Sequence, residues 1–166
     1  MIIGDLIAVV KEPVRFGERA VDQRTIMDIL DAARLAPSAN NSQIWRFLVI
    51  DGEHLLREVA ALSGKPAFAG SRTVIVACAE PWIVGRRGRE QPFFMIDVPI
   101  ALSHVVLAAR ERGVSVSLSF EFDEQRVMKL IDAPKGYRGV ALVAIGYPEE
   151  DLSPTWAVPN DFVRVL

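Results

Sequence analysis

Two continuous apolar segments constrain the fold of this chain more than any other feature of its 166 residues. Residues Thr73–Ala79 and 140–145 contain no charged side chain, and neither segment alternates polar with apolar positions. A strand of this kind is buried on both faces, because a strand with one solvated face shows alternation. The two segments therefore predict a sheet with helices on both faces, which is an α+β class of fold.

The predicted helices supply the two covering layers. The first begins at Asp22 or Gln23 and ends at Pro37, and its apolar residues recur at the spacing i, i+3, i+4 and i+7. Another covers 97–112, with Pro99 in its first turn, where proline is tolerated. Because this second helix has little polar face, we expect it to lie centrally or at an interface.

The other predicted elements are shorter. They are helices over 5–10, 55–62 and 123–131, strands over 45–50 and 139–147, an extended segment over 114–120, and Gly113 as a helix cap. Their order lacks the strict β–α–β alternation and the GxGxxG turn of a dinucleotide-binding Rossmann domain. We predict one domain over 1–166, in which 148–166 is an extended tail that wraps a neighbouring subunit.

Charge and residue counts argue against several classes of function. The formal net charge is −2 and no broad basic face is evident, so a nucleic-acid partner is not expected. Cys78 is the only cysteine, which rules out a disulfide within the chain, and its apolar neighbours indicate a buried, inert thiol. His54 and His104 have no metal-binding spacing, so no metal site is expected, and His104 is expected to pack against its surroundings within its helix.

Hydropathy bears on assembly and location. The mean hydropathy of +0.24 is high for a small soluble monomer and indicates apolar surface that is buried against another subunit. The apolar segment 2–10 is interrupted by Gly4 and Asp5 and follows no basic region, so it predicts neither a signal peptide nor a membrane span. We therefore expect a cytoplasmic protein with no membrane partner.

A polar loop follows the first predicted helix. Residues 38–43 read Ser-Ala-Asn-Asn-Ser-Gln, directly after Pro37. Amide side chains both donate and accept hydrogen bonds, so they suit the edge of a planar heterocycle that alternates donors with acceptors. Proline, serine and asparagine are also ordinary turn residues, and turn chemistry accounts for the same composition. The residues alone leave both interpretations open.

The sequence around this loop resembles the signature of the nitroreductase family. Residues 32–47 read AARLAPSANNSQIWRF, against AARxAPSxxNxQPWxF in the family, and only the proline expected before Trp45 is replaced, by Ile44. LAARERG at 107–113 and VAIGYP at 143–148 are similar to two further family motifs and follow in the family order. We expect Trp45 itself in the core rather than stacked on a ligand.

The resemblance implies a three-layer sandwich with a small, mostly antiparallel sheet, assembled as an intertwined homodimer. Family members hold two FMN cofactors at the subunit interface. NAD(P)H reduces the flavin, and a nitro, quinone or enone type acceptor then takes the electrons in a ping-pong mechanism. No acid or base residue is obligatory, because the flavin carries the redox chemistry and the protein supplies orientation, charge and exclusion of water.

The resemblance also assigns roles to residues of this chain. Lys11 matches a cation that pairs with the FMN phosphate, and Arg15 matches a basic residue near the pyrimidine end of the ring, where a cation favours the reduced flavin. A solvated helix end is the alternative for both residues. The other residues implied to bind the cofactor are Pro37, Ser38, Ala39 and Asn41, with Gln43 as a polar neighbour, then Lys65, and Ser119, Phe120 and Glu121, where a backbone N–H faces flavin N5.

The phosphate cradle departs from the family pattern. Arg-Arg-Ser-x-Arg in the family is replaced by Lys-Glu-Pro-Val-Arg at 11–15. Glu12 puts like charge beside a phosphate, and Pro13 removes a hydroxyl and a backbone donor. Either FMN binds loosely, or the arginines at 86, 87 and 89 hold its phosphate, although a solvated loop explains those arginines as well. The altered cradle favours an alternative function, a weakly flavin-binding or non-catalytic relative that acts as a carrier or regulatory protein.

Overall fold

The two apolar segments form the central strands of a four-stranded sheet. The computed structural model describes residues 13, 15–50, 52–80 and 92–150. The strands are β1 (Trp45–Val49), β2 (Thr73–Ala79), β3 (Ser115–Ser119) and β4 (Arg138–Gly146). They lie in the order β1-β2-β4-β3, and each neighbouring pair is antiparallel. Every residue of β2 is buried, as is β4 from Val140 onward, because both strands have neighbours on two sides and helices on two faces.

Five α-helices of the described residues cover this sheet. They are α1 (Gln23–Ala33), α2 (Glu53–Ala61), α3 (Pro66–Ala69), α4 (Phe94–Glu111) and α5 (Glu124–Leu130). Helices α1 and α4 pack on one face of the sheet, and α2, α3 and α5 pack on the other. This arrangement is the predicted α+β three-layer sandwich with a small antiparallel sheet.

The two cores meet at β2, whose side chains alternate between them. Ile75 and Ala77 point into the core formed with α1 and α4, whereas Val74 and Val76 point into the core formed with α2, α3 and α5. Burial of a side chain such as Ile75 contributes about 1.5–3 kcal/mol. The continuous apolar pattern of β2 is therefore the sum of two interleaved apolar faces.

Three helix ends follow the predicted capping chemistry. The side chain of Asp22 accepts a hydrogen bond from the Thr25 amide at 2.9 Å, and Asp123 accepts one from the Arg126 amide at 3.0 Å. Both carboxylates thereby satisfy N–H groups that have no partner inside the helix. Gly113 follows α4 with a φ of 69°, the left-handed conformation that ends helices at glycine.

Three predicted helix boundaries are wrong by two residues or more. Helix α2 begins at Glu53 rather than at residue 55. Helix α1 ends at Ala33 rather than Pro37, because the amides of residues 34–36 bond three residues back and tighten the chain into a turn. Helix α4 begins at Phe94 rather than at residue 97, since the Phe93 carbonyl accepts from the amides of Ile96 and Asp97. Pro99 therefore lies in the second turn of α4, not the first.

Some predicted segments fall outside the described residues. These are the helix over 5–10, most of the irregular segment over 80–93, and residues 151–166 of the tail. Helix α3 has four residues and was not predicted, because a single turn shows no periodicity. The structure has no helix, within the ranges it describes, that combines the length and apolar character needed to cross a membrane.

Candidate functional site

The polar loop between α1 and β1 adopts an unusual backbone conformation. It contains a short 3₁₀ turn at Ala39–Asn41, and Asn40, Asn41 and Gln43 have φ values of 54°, 54° and 47°. Left-handed backbone is uncommon for residues other than glycine, and asparagine tolerates it best. Each such residue costs on the order of 1 kcal/mol, and backbone strain of this kind concentrates at functional sites. The loop is consequently the first place to look for a ligand.

Two of the predicted site residues in this loop spend their side chains on the loop itself. Ser38 Oγ accepts a hydrogen bond from the Gln43 amide at 3.0 Å, and the Ser38 carbonyl accepts one from the Asn41 amide at 3.0 Å. The Gln43 side chain makes a long contact from Nε2 to the Arg34 carbonyl, at 3.4 Å. Ser38 and Gln43 therefore stabilise the conformation of the loop, because their side chains bond to protein backbone groups.

The side chains of Asn40 and Asn41 remain available. Both residues are exposed, and the described part of the chain offers neither amide group a hydrogen-bond partner. Pro37 is exposed beside them, and Ala39 is half-buried. Neutral amides that donate and accept side by side are suited to the edge of a heterocycle. The residues of this loop that can face a ligand are therefore Pro37 and the two asparagines.

A buried carboxylate holds the start of the loop. Asp97 of α4 is 2% exposed, and its two oxygens accept from the Ala39 amide at 3.1 and 3.2 Å. Burial raises the pKa of Asp97 and outweighs the Ala39 N–H, which acts in the opposite direction. This residue was not predicted, although a lone aspartate in the apolar stretch that opens α4 was the available signal.

An ion pair holds the other end of the loop. Arg46 donates from Nη2 to Glu80 Oε2 at 2.6 Å, and from Nη1 to the carbonyls of Trp45 at 2.8 Å and Gln43 at 3.3 Å. Trp45 is 6% exposed and lies in the core, as predicted. The loop is thus anchored to α4 at its start and to the end of β2 at its finish. Neither Arg46 nor Glu80 was predicted, because their contact joins residues far apart in sequence.

A second group of predicted residues lines one cavity. Lys65, Ser119, Phe120 and Glu121 surround a space of about 380 Å³. The remaining lining residues are Ser63, Gly64 and Leu118. The structure therefore brings together four residues that were selected from two distant parts of the sequence.

Two buried serines shape this cavity. Ser119 Oγ donates to the Ser63 carbonyl at 2.7 Å, and Ser63 Oγ donates to the Ala60 carbonyl at 2.7 Å and accepts from the Lys65 amide at 3.2 Å. These bonds tie the end of β3 to the turn between α2 and α3. The Ser119 hydroxyl is thus used inside the protein, which leaves backbone groups, the Lys65 side chain and the half-exposed Phe120 ring at the cavity.

Arg15 lies at a third place, beside the end of β4. Its carbonyl accepts from the Glu149 amide at 3.3 Å, and the neighbouring Phe16 forms a bridge with Pro148. The Arg15 side chain is exposed and has no ion-pair partner within the described ranges. Lys11, the other predicted cation, falls outside those ranges, and Pro13 of the altered cradle is buried.

The polar loop and Arg15 lie at opposite ends of the sheet. The loop leads into Trp45, which pairs with Ala79 at the end of β2, whereas Phe16 packs against Gly146, near the level of Thr73 at the start of β2. Six residue steps separate Thr73 from Ala79, and a strand rises about 3.3 Å per residue, so the two ends are about 20 Å apart. A ring system of three fused rings is shorter than this separation.

Two further predictions concern Cys78 and His104. Burial raises the pKa of the Cys78 thiol to about 12, with the Glu124 carboxylate adding to the rise, which confirms an inert thiol. His104 Nδ1 lies 3.2 Å from the Ala32 carbonyl and joins α4 to α1. Both residues are therefore part of the packing.

Comparisons with known proteins agree with the sequence signature. The model of the Nitroreductase family matches residues 15–65 and 56–147. A protein named "Putative NADH dehydrogenase/NAD(P)H nitroreductase" from Archaeoglobus fulgidus is 30% identical over 143 residues, covering 82% of this chain and 79% of the relative. The match to the family model includes both the polar loop and the segment at 119–121.

Two solved structures are similar in fold. A nitroreductase family protein from Clostridium novyi NT superposes with a TM-score of 0.84 at 27% identity, covering 92% of this chain and 88% of that one. An FMN-dependent nitroreductase from Clostridium difficile R20291 superposes with a TM-score of 0.81 at 20% identity, covering 96% and 98% of the two chains. At that lower identity the likeness is one of fold.

Proposed function

Because the chain belongs to the nitroreductase family, we propose that it is an FMN-dependent oxidoreductase that passes hydride from NAD(P)H to a nitro, quinone or enone type acceptor by a ping-pong mechanism. The observation that carries the proposal is the anchored polar loop, whose two exposed amides are held in a left-handed conformation with no partner in the described residues. A fold neighbour described as FMN-dependent supports the choice of cofactor.

The donors in the described residues fit the chemistry of FMN. The Asn41 amide matches the alternating donors and acceptors of the pyrimidine edge, and the exposed Arg15 guanidinium matches the negative charge that a reduced ring carries. Lys65 adds a second cation at the cavity of Ser119–Glu121, where Phe120 offers an apolar surface that can cover a flat ligand and exclude water. Bound FMN would supply the two-electron chemistry, while these residues bind and orient it.

We further propose that two chains complete each site as an intertwined homodimer. The loop at 37–43 and Arg15 lie at ends of the sheet about 20 Å apart in one chain, which favours a site that takes the two groups from two chains. Exposed apolar side chains support such an interface: Met27 on α1, Leu35 after it, and Met95 on α4. In this assembly residues 1–166 form one cytoplasmic domain whose tail wraps the partner.

The enzyme proposal is tested by anaerobic reduction of the FMN-loaded protein. We expect NADH or NADPH to bleach the flavin absorbance, and a nitroaromatic or quinone added afterwards to restore it. Light scattering of the same sample is expected to give the mass of two chains. A flavin that both nicotinamides leave oxidised, or a monomer that turns over at the full rate, would contradict the proposal.

A second function is favoured by one observation. Pro13 is buried where the family presents a serine, so this cradle lacks a hydroxyl and a backbone N–H for a phosphate. This feature supports a weakly flavin-binding or non-catalytic relative that acts as a carrier or regulatory protein. The same experiment separates the two, since a carrier binds FMN without being reduced by either nicotinamide.

A further inference from the structure

We propose that Asp97 is a positioning residue of the flavin site: its buried carboxylate, reaching from α4, caps the 3₁₀ turn at Ala39 and so sets the direction of the Asn40 and Asn41 amides. The inference rests on the proposed function, because it assigns those amides to FMN. In this proposal Asp97 bonds to the backbone of the loop and does not contact FMN.

The 3₁₀ turn at Ala39–Asn41 lacks a capping residue of its own. Ser38 occupies the position that precedes the turn, yet its side chain makes no capping bond and instead accepts from the Gln43 amide. Within the part of the chain that the structure describes, the first amide of the turn, at Ala39, bonds to the Asp97 oxygens alone, 58 residues away in sequence. Asp97 therefore does from another helix what a capping residue normally does locally.

The Asp97 carboxylate is costly to the core in which it is buried. Asp97 is 2% exposed, and the Ala39 amide is the one donor that its oxygens find within the described ranges. A buried carboxylate is expensive unless it is paired and hydrogen-bonded, and Asp97 has no cation among the described residues to offset that cost. The carboxylate at this position thus serves the loop and not the core.

The bond between Asp97 and Ala39 bears on ligand binding through the two asparagines. Asn40 and Asn41 follow Ala39 directly, and both hold a left-handed backbone that the chain alone does not favour. Without the Asp97 bond this loop is released to sample other conformations. A loop that must be ordered on binding gives weaker affinity than one already in place.

The experiment compares Asp97→Leu with Asp97→Asn, and takes Glu124→Gln on α5 as a matched carboxylate control. Asp97→Leu removes the acceptor and leaves the Ala39 amide without its partner, and we expect the Kd for FMN to rise about tenfold. Asp97→Asn keeps one oxygen for Ala39, and its Kd is expected within about threefold of the wild type. Glu124→Gln is expected to lower the Tm and leave the Kd unchanged.

Hydrogen exchange of the ligand-free protein gives a readout that does not depend on FMN. We expect amides of residues 39–43 to exchange about tenfold faster in Asp97→Leu than in the wild type, and Asp97→Asn to restore protection. Equal protection in Asp97→Leu would overturn the inference even if FMN binds normally. An unchanged Kd in Asp97→Leu, or an equal loss in Asp97→Asn, would overturn it too.

The two proposals fail in different ways. If the wild type takes up no FMN while Asp97→Leu loses loop protection, the anchoring of the loop is supported and the flavin function is contradicted. If the wild type binds FMN and all three variants match it in affinity and exchange, the flavin function stands and the role of Asp97 is overturned.

Discussion

Two carboxylates, one on each face of the sheet, are held in opposite ways. Glu124 on α5 accepts a bidentate pair from Arg138 Nε and Nη2, at 2.7 and 3.0 Å, and a further bond from the Gly139 amide at 3.0 Å. Asp97 on α4 accepts only from the Ala39 amide among the described residues. The Arg138 hydrogen bonds lower the pKa of Glu124, whereas burial raises the pKa of Asp97.

The two faces of the sheet therefore have different roles, one in stability and one at the candidate site. On the face of α2, α3 and α5, the Glu124 carboxylate is paired with the Arg138 guanidinium, and this arrangement stabilises the fold. The face of α1 and α4 tolerates an unmatched carboxylate, and it does so next to the strained loop. Local departures from the rules of stable folding are expected at functional sites, so the contrast itself points to the loop.

The largest expected effect is on the free energy of unfolding, and it distinguishes a phenylalanine in the core from one at the candidate site. Phe68 on α3 is fully buried, and Phe68→Ala should lower the free energy of unfolding by about 3–5 kcal/mol through the lost burial and the cavity left behind. Phe120 is 53% exposed, and Phe120→Ala should cost less than about 1 kcal/mol. Urea unfolding measures both, and a similar loss in the two variants would break the proposed division.

A smaller effect is expected for the charge at the site. Arg15→Ala should raise the Kd for FMN about tenfold or more, because a charge-assisted contact is lost, and should leave the midpoint of unfolding unchanged. Arg126→Ala on α5 removes another exposed cation, which does not line the cavity at Ser119–Glu121, and serves as the control. Flavin fluorescence quenching measures the affinity. Equal affinity in the wild type and Arg15→Ala would remove Arg15 from the site.

The amide at Asn41 allows a cleaner substitution than alanine. Asn41→Gly removes the side chain and keeps a residue that adopts a φ of 54° without strain. We expect the Kd for FMN to rise about fivefold to tenfold with little change in stability, since only hydrogen bonds to the ligand are lost. Asn41→Ala should show the same loss of affinity together with a destabilisation that reports backbone strain. A glycine variant with wild-type affinity would argue against a role for this amide.

The smallest effect is a difference in pH dependence between the two carboxylates. The folded pKa of Glu124 is lowered, so its contribution to stability is present above about pH 4 and is lost as the pH falls through the folded pKa. The folded pKa of Asp97 is raised, so the contribution of this one group to stability is greatest below about pH 4 and decreases as the pH rises through its folded pKa.

Urea unfolding at a series of pH values tests this sign. The loss of stability in Glu124→Gln, about 0.5–1 kcal/mol at neutral pH, should vanish in acid. The gain in Asp97→Asn over the wild type should instead grow with rising pH. Parallel curves for the two variants would show that the carboxylates are held alike.

The fold could be predicted from the sequence because its signals are local. The apolar run of β2 fixed a strand with the bounds Thr73–Ala79, and Asp22, Asp123 and Gly113 marked helix ends through bonds to near neighbours. The predicted start of α4 is wrong because Pro99 indicates the first turn of a helix, whereas α4 begins at Phe94 and holds Pro99 in its second turn.

The candidate site could be predicted only in part. The family signature located the loop at 37–43, and the segment at 119–121 with Lys65, which the structure brings to one cavity. It could not reveal the bonds from Asp97 to Ala39 or from Ser119 to Ser63, since these join residues 58 and 56 positions apart and depend on the packing of separate elements. Lys11 stays a prediction, because it lies outside the described residues.

The central claim is that this loop and its partner surface hold FMN, and a titration of the purified protein with FMN tests it most directly. The account predicts saturable binding of one FMN per chain, seen as a yellow protein that keeps its colour through desalting. A protein that stays colourless after incubation with excess FMN, while its unfolding curve shows it to be folded, would contradict the account.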